Sequence, residues 1–552
     1  MKDYTKKQKI LIILGVAVFI LIGSGLTYAG LMWATSNPIN IGLTSGCFEI
    51  NYTPGGAINN ANVEVMNEST LISNNKFTIT DGIALTYANV GIKSTCTIEG
   101  YGSLYLNVTN LSNAFTTGSS KGSLKYAILN NTSSSTNLTV AGLKGQSFDI
   151  IKTGTITSTG TVNILTKQLS NTSQYKYLIV FYIDGSKIGN DVIGASFAGN
   201  ISADAHQGKL DLAKETLNYL KSLNSTITLA NDTPDFTKVS GNNGGKGDGT
   251  KGIYKAEDDL GTSYYFRGAV DNNYVKFANF YWRIIRINGD GTIRMIYAGT
   301  SAHTNGESET DSYISQTAYN SSYNDNTYVG YMTGSTGATT YANTHSNTNN
   351  STIKGVIDTW YKTNIVDKGY SSYVADAIYC NDRSIANDSA TNTMLTKANS
   401  SWTNTGLGYG TNVTAYGGFK RNWVDRMPSL KCPNNNDKFT KSSTLGNGKL
   451  TYPVALITSD EIAYAGGSAY NYNTSSYIAN TEFYLHTPSY YYWTLTPLAF
   501  AGGTSYVGYW YTSGCLDFDY VYSAGGARPA VSLSSVAISG GNGTISNPFT
   551  VG

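Results

Sequence analysis

The chain is 552 residues long, and 13% of them are charged, about half the share of an average soluble domain. Lys and Arg number 38 against 36 Asp and Glu, a net charge of +2. That balance excludes nucleic acid as the main partner, because phosphate binding needs a basic excess. Four His and five Cys exclude a His-rich metal site and a disulfide-dense small scaffold, while 43 Tyr against 17 Phe and 7 Trp mark the composition.

Lys2, Lys6, Lys7 and Lys9 precede an apolar run from Ile10 to Leu26 that continues in small and apolar residues to Ala34. The run is long enough to cross a bilayer core of about 30 Å as a helix. Lysines before it and few charges after it place the N-terminus inside and the bulk outside. Thr27-Tyr28-Ala29 offers a signal-peptidase site, but the length favours an uncleaved anchor. Residues 1–35 are therefore expected to form a cytoplasmic tail and a transmembrane helix, with the remainder extracellular at the cell membrane.

Residues 36–203 carry short alternating runs broken by Gly, Asn and Ser. Phe77–Thr80, Ser103–Thr109, Thr155–Thr157 and Tyr177–Ile183 are examples. This spacing predicts an all-β antiparallel sandwich, as one domain or two smaller ones. Export permits disulfides. Cys47 and Cys96 flank one β-rich segment and Cys380 and Cys432 lie in the C-terminal half, so pairing within each region leaves Cys515 odd.

Residues 204–224 change character. Leu210, Ala213, Leu217 and Leu220 recur at three and four residues, predicting an amphipathic stalk or packing helix. Residues 225–252, with Ser240-Gly-Asn-Asn-Gly-Gly-Lys-Gly-Asp-Gly-Thr250, read as a flexible linker at a domain boundary.

A second globular region, 253–552, follows. Tyr264–Gly268 and Tyr274–Phe277 read as strands. Tyr281–Ile287 and Thr292–Tyr297 flank Asn288-Gly-Asp-Gly291, a hairpin signal. Residues 303–350 read as polar loop and Ser351–Tyr361 as a helix. Val454–Ile457 reads as a buried strand. Thr458 with Glu461 three residues later is a helix-start signature. Trp493 and Leu495, and later Val531 and Leu533, alternate as scaffold positions of strands.

Three blocks in this region occur in a fixed order: Val454-Ala-Leu-Ile457-Thr-Ser-Asp-Glu461, Tyr492-Trp-Thr-Leu-Thr-Pro497 and Gly525-Gly-Ala-Arg-Pro-Ala-Val531. Together with Tyr281-Trp282-Arg283-Ile284-Ile285 they resemble bacterial extracellular C-type-lectin-like domains, related to the formylglycine-generating-enzyme fold. The resemblance covers residues 253–552 and implies an α+β binding head. In some relatives the C-terminal segment is diversified by a retroelement. Tyr484–Tyr492 and Cys515–Tyr520 resemble such variable stretches, and the odd Cys515 fits a variable position. A near-identical template repeat in neighbouring DNA would mark it.

Between the last two blocks lies an excursion, residues 498–524, dense in aromatics. Tyrosine offers large contact area with two torsions and a polar tip, and Ser, Gly and Asn add adaptable hydrogen bonds. Tyr490, Tyr491, Tyr506, Tyr509, Trp510, Tyr511, Asp517, Asp519, Tyr520 and Tyr522 are the expected ligand contacts for a protein or glycan.

No enzyme chemistry is expected. His206 falls in the stalk helix, His303 and His345 in polar loops, and His486 in the aromatic segment without a carboxylate partner, so all four read as surface residues. Asn288–Thr292 lacks the EF-hand series, and the Glu-Pro-Asn and Trp-Asn-Asp motifs of calcium-dependent lectins are absent, so neither metal nor cofactor is expected. The competing readings are a structural cell-envelope or appendage subunit, and an enzyme of the formylglycine-generating type.

Overall fold

The computed structural model describes residues 50–551 apart from 62, 93–99, 170–173, 208–209 and 536. The expected membrane anchor, Cys47 and Cys96 lie outside the described residues. Among those described, no helix is long and apolar enough to cross a membrane. The protein is mostly β, and it divides into two compact units, one ending at Leu210 and the other running Asp211–Gly552.

The first unit is built on seven longer strands: β1 (Ala84–Ile92), β2 (Gly100–Leu111), β3 (Leu124–Asn130), β4 (Ser147–Thr155), β5 (Gly160–Leu169), β6 (Tyr175–Asp184) and β7 (Phe197–Gln207). An eight-stranded sheet runs Ile50–Pro54, β1, β6, β3, β4, Lys76–Thr78, Ile72–Ser73, with Val65–Met66 parallel to β6. A four-stranded sheet runs β5, β2, β7, Ile58–Ala61. Their inner faces share one core: Val90, Ile128, Ile179 and Phe181 meet Leu104, Leu106, Ile164 and Ile201. This is the expected sandwich.

Strand β6 shows why its sequence is apolar without interruption. Tyr177, Ile179, Phe181 and Ile183 enter the core between the sheets. Leu178, Val180 and Tyr182 enter a second core on the opposite face, with Leu71, Phe77, Leu143 and Phe148. A strand covered on both faces needs no polar alternation.

The expected helix over 204–224 is corrected. Residues up to Gln207 belong to β7, where Ser202–Gln207 pairs with Gly100–Tyr105 of β2, so His206 is a strand residue. The ladder outcompetes the helix there because β2 offers partners along the whole length. Helix α1 (Leu212–Leu223) starts where Asp211 accepts from Lys214 N–H, a side-chain N-cap. Ala213, Leu217 and Leu220 are buried in the core of the second unit, so α1 is a packing helix.

The Gly-rich segment 225–252 is not a linker. Ile227, Val239, Ser240 and Thr250 are buried. Arg267 Nη2 reaches Asp248 Oδ2 at 2.8 Å, with both side chains almost fully enclosed. Gly241 and Gly249 hold left-handed φ of 70° and 77°, which glycine adopts without strain. The glycines here turn the chain tightly around a buried ion pair.

The second unit carries a ten-stranded and a six-stranded sheet. Strands β8 (Gly252–Asp258), β9 (Gly261–Arg267), β10 (Tyr274–Phe277), β11 (Phe280–Ile287) and β12 (Ile293–Gly299) belong to the first. The β11–β12 hairpin forms as expected, closed by Asn288 N–H to Thr292 O at 2.8 Å. Helix α2 (Thr352–Tyr361) is capped by Ser351. Helix α3 (Ser459–Ala465) carries the expected capping box between Thr458 and Glu461. The later strands are β13 (Tyr492–Ala501), β14 (Thr504–Tyr511), β15 (Cys515–Tyr520), β16 (Gly525–Ala527) and β17 (Ala530–Leu533). Ser532 is as buried as Val531 and Leu533, because β17 lies inside the ten-stranded sheet with cover on both faces.

Candidate functional site

The expected excursion is a folded meander. Strands β13, β14 and β15 are consecutive antiparallel neighbours at one end of the six-stranded sheet. Gly502 and Gly503, with φ of 56° and 78°, make the first turn. Gly508 lets β14 lie on α3: a Cβ there would come within 2.5 Å of Ser459 Oγ.

Register then sorts the aromatic side chains. Strand β14 pairs Tyr506 with Tyr520, Gly508 with Phe518, Tyr509 with Asp517 and Trp510 with Leu516, with no register shift. Alternation sends even-numbered residues to one face and odd-numbered ones to the other. The ten nominated contacts therefore divide between two faces of the sheet.

Trp510 is corrected as a contact residue. It is fully buried, its ring centroid lies 4.8 Å from that of Phe483, and its Nε1–H donates to His486 Nδ1 at 3.3 Å. Tyr506 and Tyr509 are also buried. Period-two alternation identifies a face but does not say which face has a helix beneath it. Tyr490 and Tyr491 are half-buried and stacked at 5.0 Å. The exposed members are Tyr511 at 42%, Tyr520 at 40% and Tyr522 at 46%.

On the even face Tyr506 lies 5.0 Å from Tyr520, and Tyr520 stacks on Tyr522 at 5.2 Å. Tyr323, 43% exposed, closes on Tyr522 at 4.8 Å. Sequence reasoning missed Tyr323, since it comes from a polar stretch distant in the chain. On the odd face Tyr491, Tyr509 and Tyr511 follow one another at 4.9 and 5.7 Å. Tyr472, also missed, donates its hydroxyl to Asp517 Oδ1 at 3.1 Å. The Tyr-rich run from Tyr470 to Tyr477 was its only signal.

Asp517 and Asp519 are neighbours on this odd face. Burial pushes the Asp517 carboxyl up to about 6, and Asp519 adds to the shift. Burial raises Asp519 as well. The folded chain therefore holds the Asp517 proton more tightly than the unfolded chain, whose carboxyl titrates near 4. Stability falls as pH rises through that window. Asp517→Asn is expected to stabilise the second unit by about 2 kcal/mol at pH 7.5 and to have no effect well below pH 4. Thermal melting at the two pH values checks it.

The histidines are corrected too. His345 is fully buried with Nε2 2.9 Å from Gly408 O, and burial with nearby Arg383 drops it well below the usual range. His486 is buried and pushed down to about 4 by that burial. His303 lies between Glu307 and Asp311, largely covered.

Cys380 and Cys432 form the expected disulfide, with Cα atoms 5.6 Å apart. Cys515 is free and buried, and that burial raises its thiol to about 12. Cys380 lines a cavity of about 30 Å3 with Asp258, Arg286, Arg294, Arg421, Asp460 and Glu461. A space of that size holds about one water. Its charges are matched internally. Arg286 pairs with Asp258 and Glu461, Arg294 with Glu461, and Arg421 with Asp382 and Asp460. Glu461, read from sequence only as a cap, is the shared anion of this network.

No family model matches the sequence, and no curated protein matches it either.

Proposed function

We propose that this is a membrane-anchored cell-surface recognition protein whose second unit is a C-type-lectin-like head. The head binds a protein or glycan through the tyrosine-rich end of the β13–β15 meander and carries out no reaction. The observation that supports this is the cluster of exposed rings Tyr520, Tyr522 and Tyr323 beside buried Tyr506, with exposed Tyr511 on the opposite face of the same hairpin. A rigid aromatic surface loses little entropy on binding. The disulfide suits an oxidising compartment, and the Lys-flanked apolar N-terminus suits an anchor.

The test is an array of glycans and surface proteins probed with the full chain and with a Tyr511→Ala, Tyr520→Ala, Tyr522→Ala variant. The variant is expected to melt within a few degrees of the parent, since exposed substitutions cost little, and to lose binding by at least about a hundredfold, the scale of two or more aromatic hot spots. Unchanged binding by the folded variant rejects this site.

One observation favours the structural-subunit reading. Strand β5 is an edge of its four-stranded sheet, and its first four residues are exposed. Such an edge is a template for pairing with another chain. Sedimentation separates the readings: concentration-dependent multimers speak for the subunit, a monomer for the recognition head.

A further inference from the structure

We propose that the odd-numbered face of the β14–β15 hairpin takes up a cationic side chain, Lys or Arg, from an extended segment of a protein partner. This rests on the recognition reading above and narrows its ligand to one class.

The first argument is charge. Asp517 and Asp519 sit two residues apart on β15, opposite Tyr509 and Val507, so their side chains share one face at a spacing of about 7 Å. Among the described residues, no Lys, Arg or His forms an ion pair with either carboxylate. The cavity network of the same unit differs in this respect, since each of its arginines has an acidic partner. Two partly desolvated like charges repel each other, and a neutral sugar would give them hydrogen bonds without cancelling that repulsion. A guanidinium or ammonium does both.

The second argument is the aromatic wall. Tyr472 holds Asp517, and Tyr491, Tyr509 and Tyr511 continue beside the pair. Ring faces attract cations. The protein uses the same arrangement internally: Arg283 lies 3.8 Å over the ring of Tyr274, and Arg528 lies 4.6 Å over that of Tyr492.

The third argument is independent of charge and selects an extended protein segment. Strand β15 is the last strand of its sheet. Its outer edge is paired at Leu516, which donates to Ser468 O and accepts from Tyr470 N–H, both at 2.9 Å. The chain then turns away through Asn471 and Ser476. Beyond that point the outward N–H groups of Phe518 and Tyr520 are met by the side chains of Asp517 and Asp519, at 3.0 and 2.7 Å. An incoming strand replaces these local bonds with ladder bonds. The same exchange releases one hydrogen bond from each carboxylate, while Tyr472 still holds Asp517 in place.

The test uses the full chain and a short acetylated peptide alternating threonine and arginine. Its citrulline counterpart keeps the shape and removes the charge. The arginine peptide is expected to bind about tenfold or more tightly than the citrulline peptide, and the preference should shrink as salt is raised. Asp517→Asn with Asp519→Asn, checked for a native circular dichroism spectrum, should abolish the preference. Equal binding of the two peptides, binding of neither, or a preference that survives in the double variant overturns the proposal. The recognition reading fails separately. If the asparagine variant keeps an array ligand that the triple tyrosine variant loses, the cationic assignment falls and the aromatic site stands.

Discussion

Glu461→Ala is expected to lower the unfolding free energy of the second unit by about 4 kcal/mol, the range seen when one partner of a buried ion pair is removed. Glu461 Oε1 lies 3.0 Å from Arg286 Nε and 3.2 Å from Arg294 Nε, and all three side chains are nearly inaccessible. Its other oxygen accepts from Thr458 N–H at 2.9 Å, completing the capping box. The alanine variant leaves Arg286 with Asp258 and Arg294 without a carboxylate, and it also removes a cap contact worth about 1 kcal/mol. Burial alone would raise the Glu461 carboxyl, but Arg294 and Arg286 outweigh it and hold the group below its usual value. The linkage sign follows. The pair's contribution is complete above the unfolded value near 4.3 and is lost as pH falls through the folded one. Glu461→Gln keeps hydrogen bonds and loses charge, so it should cost less than alanine and flatten the acid limb. Urea unfolding followed by tryptophan fluorescence at pH 7 and at steps descending below pH 4 reads both effects.

Replacing Cys380 and Cys432 together by serine is expected to cost about 4 kcal/mol. The two are 52 residues apart in sequence, and closing a loop of that size removes about this much free energy's worth of unfolded-state entropy. The bond ties the Tyr379–Cys380 strand to the segment at Leu430–Cys432, and residues of both line the charged cavity. The variant's urea midpoint should match that of the parent chain under reducing conditions. A reductant-insensitive midpoint for the parent would contradict the assignment.

The parts of the fold that could be read from the sequence were those with local chemistry. Asn288–Gly291 makes its hairpin because the turn residues sit between two apolar runs, and Thr458 with Glu461 makes its cap because the partners are three residues apart. The disulfide was within reach because Cys380 and Cys432 lie in one region. What escaped depended on partners far along the chain. The 225–252 segment looked like a linker because glycine composition is the same whether the chain is free or is turned around a buried pair, and the pair needs Arg267. The helical period around Leu210 gives no sign of the strand over Ser202–Gln207, because that strand's partner, β2, lies about a hundred residues earlier. The burial of Trp510 is not legible in the sequence, which shows alternation without showing which side α3 covers. Tyr323 and Tyr472 were missed for the converse reason, as each is brought to the meander from elsewhere.

The unshifted register between β14 and β15 has a consequence for how the surface can change. Trp510 and Tyr506 are buried anchors of the hairpin, while Tyr520 and Tyr522 on the same face and Tyr511 on the other remain exposed. Rewriting the projecting positions alters what the surface can grip while the anchors stay untouched. The hairpin thus behaves as a display platform, in which the codons that set stability and those that set specificity are interleaved in sequence yet separable in effect.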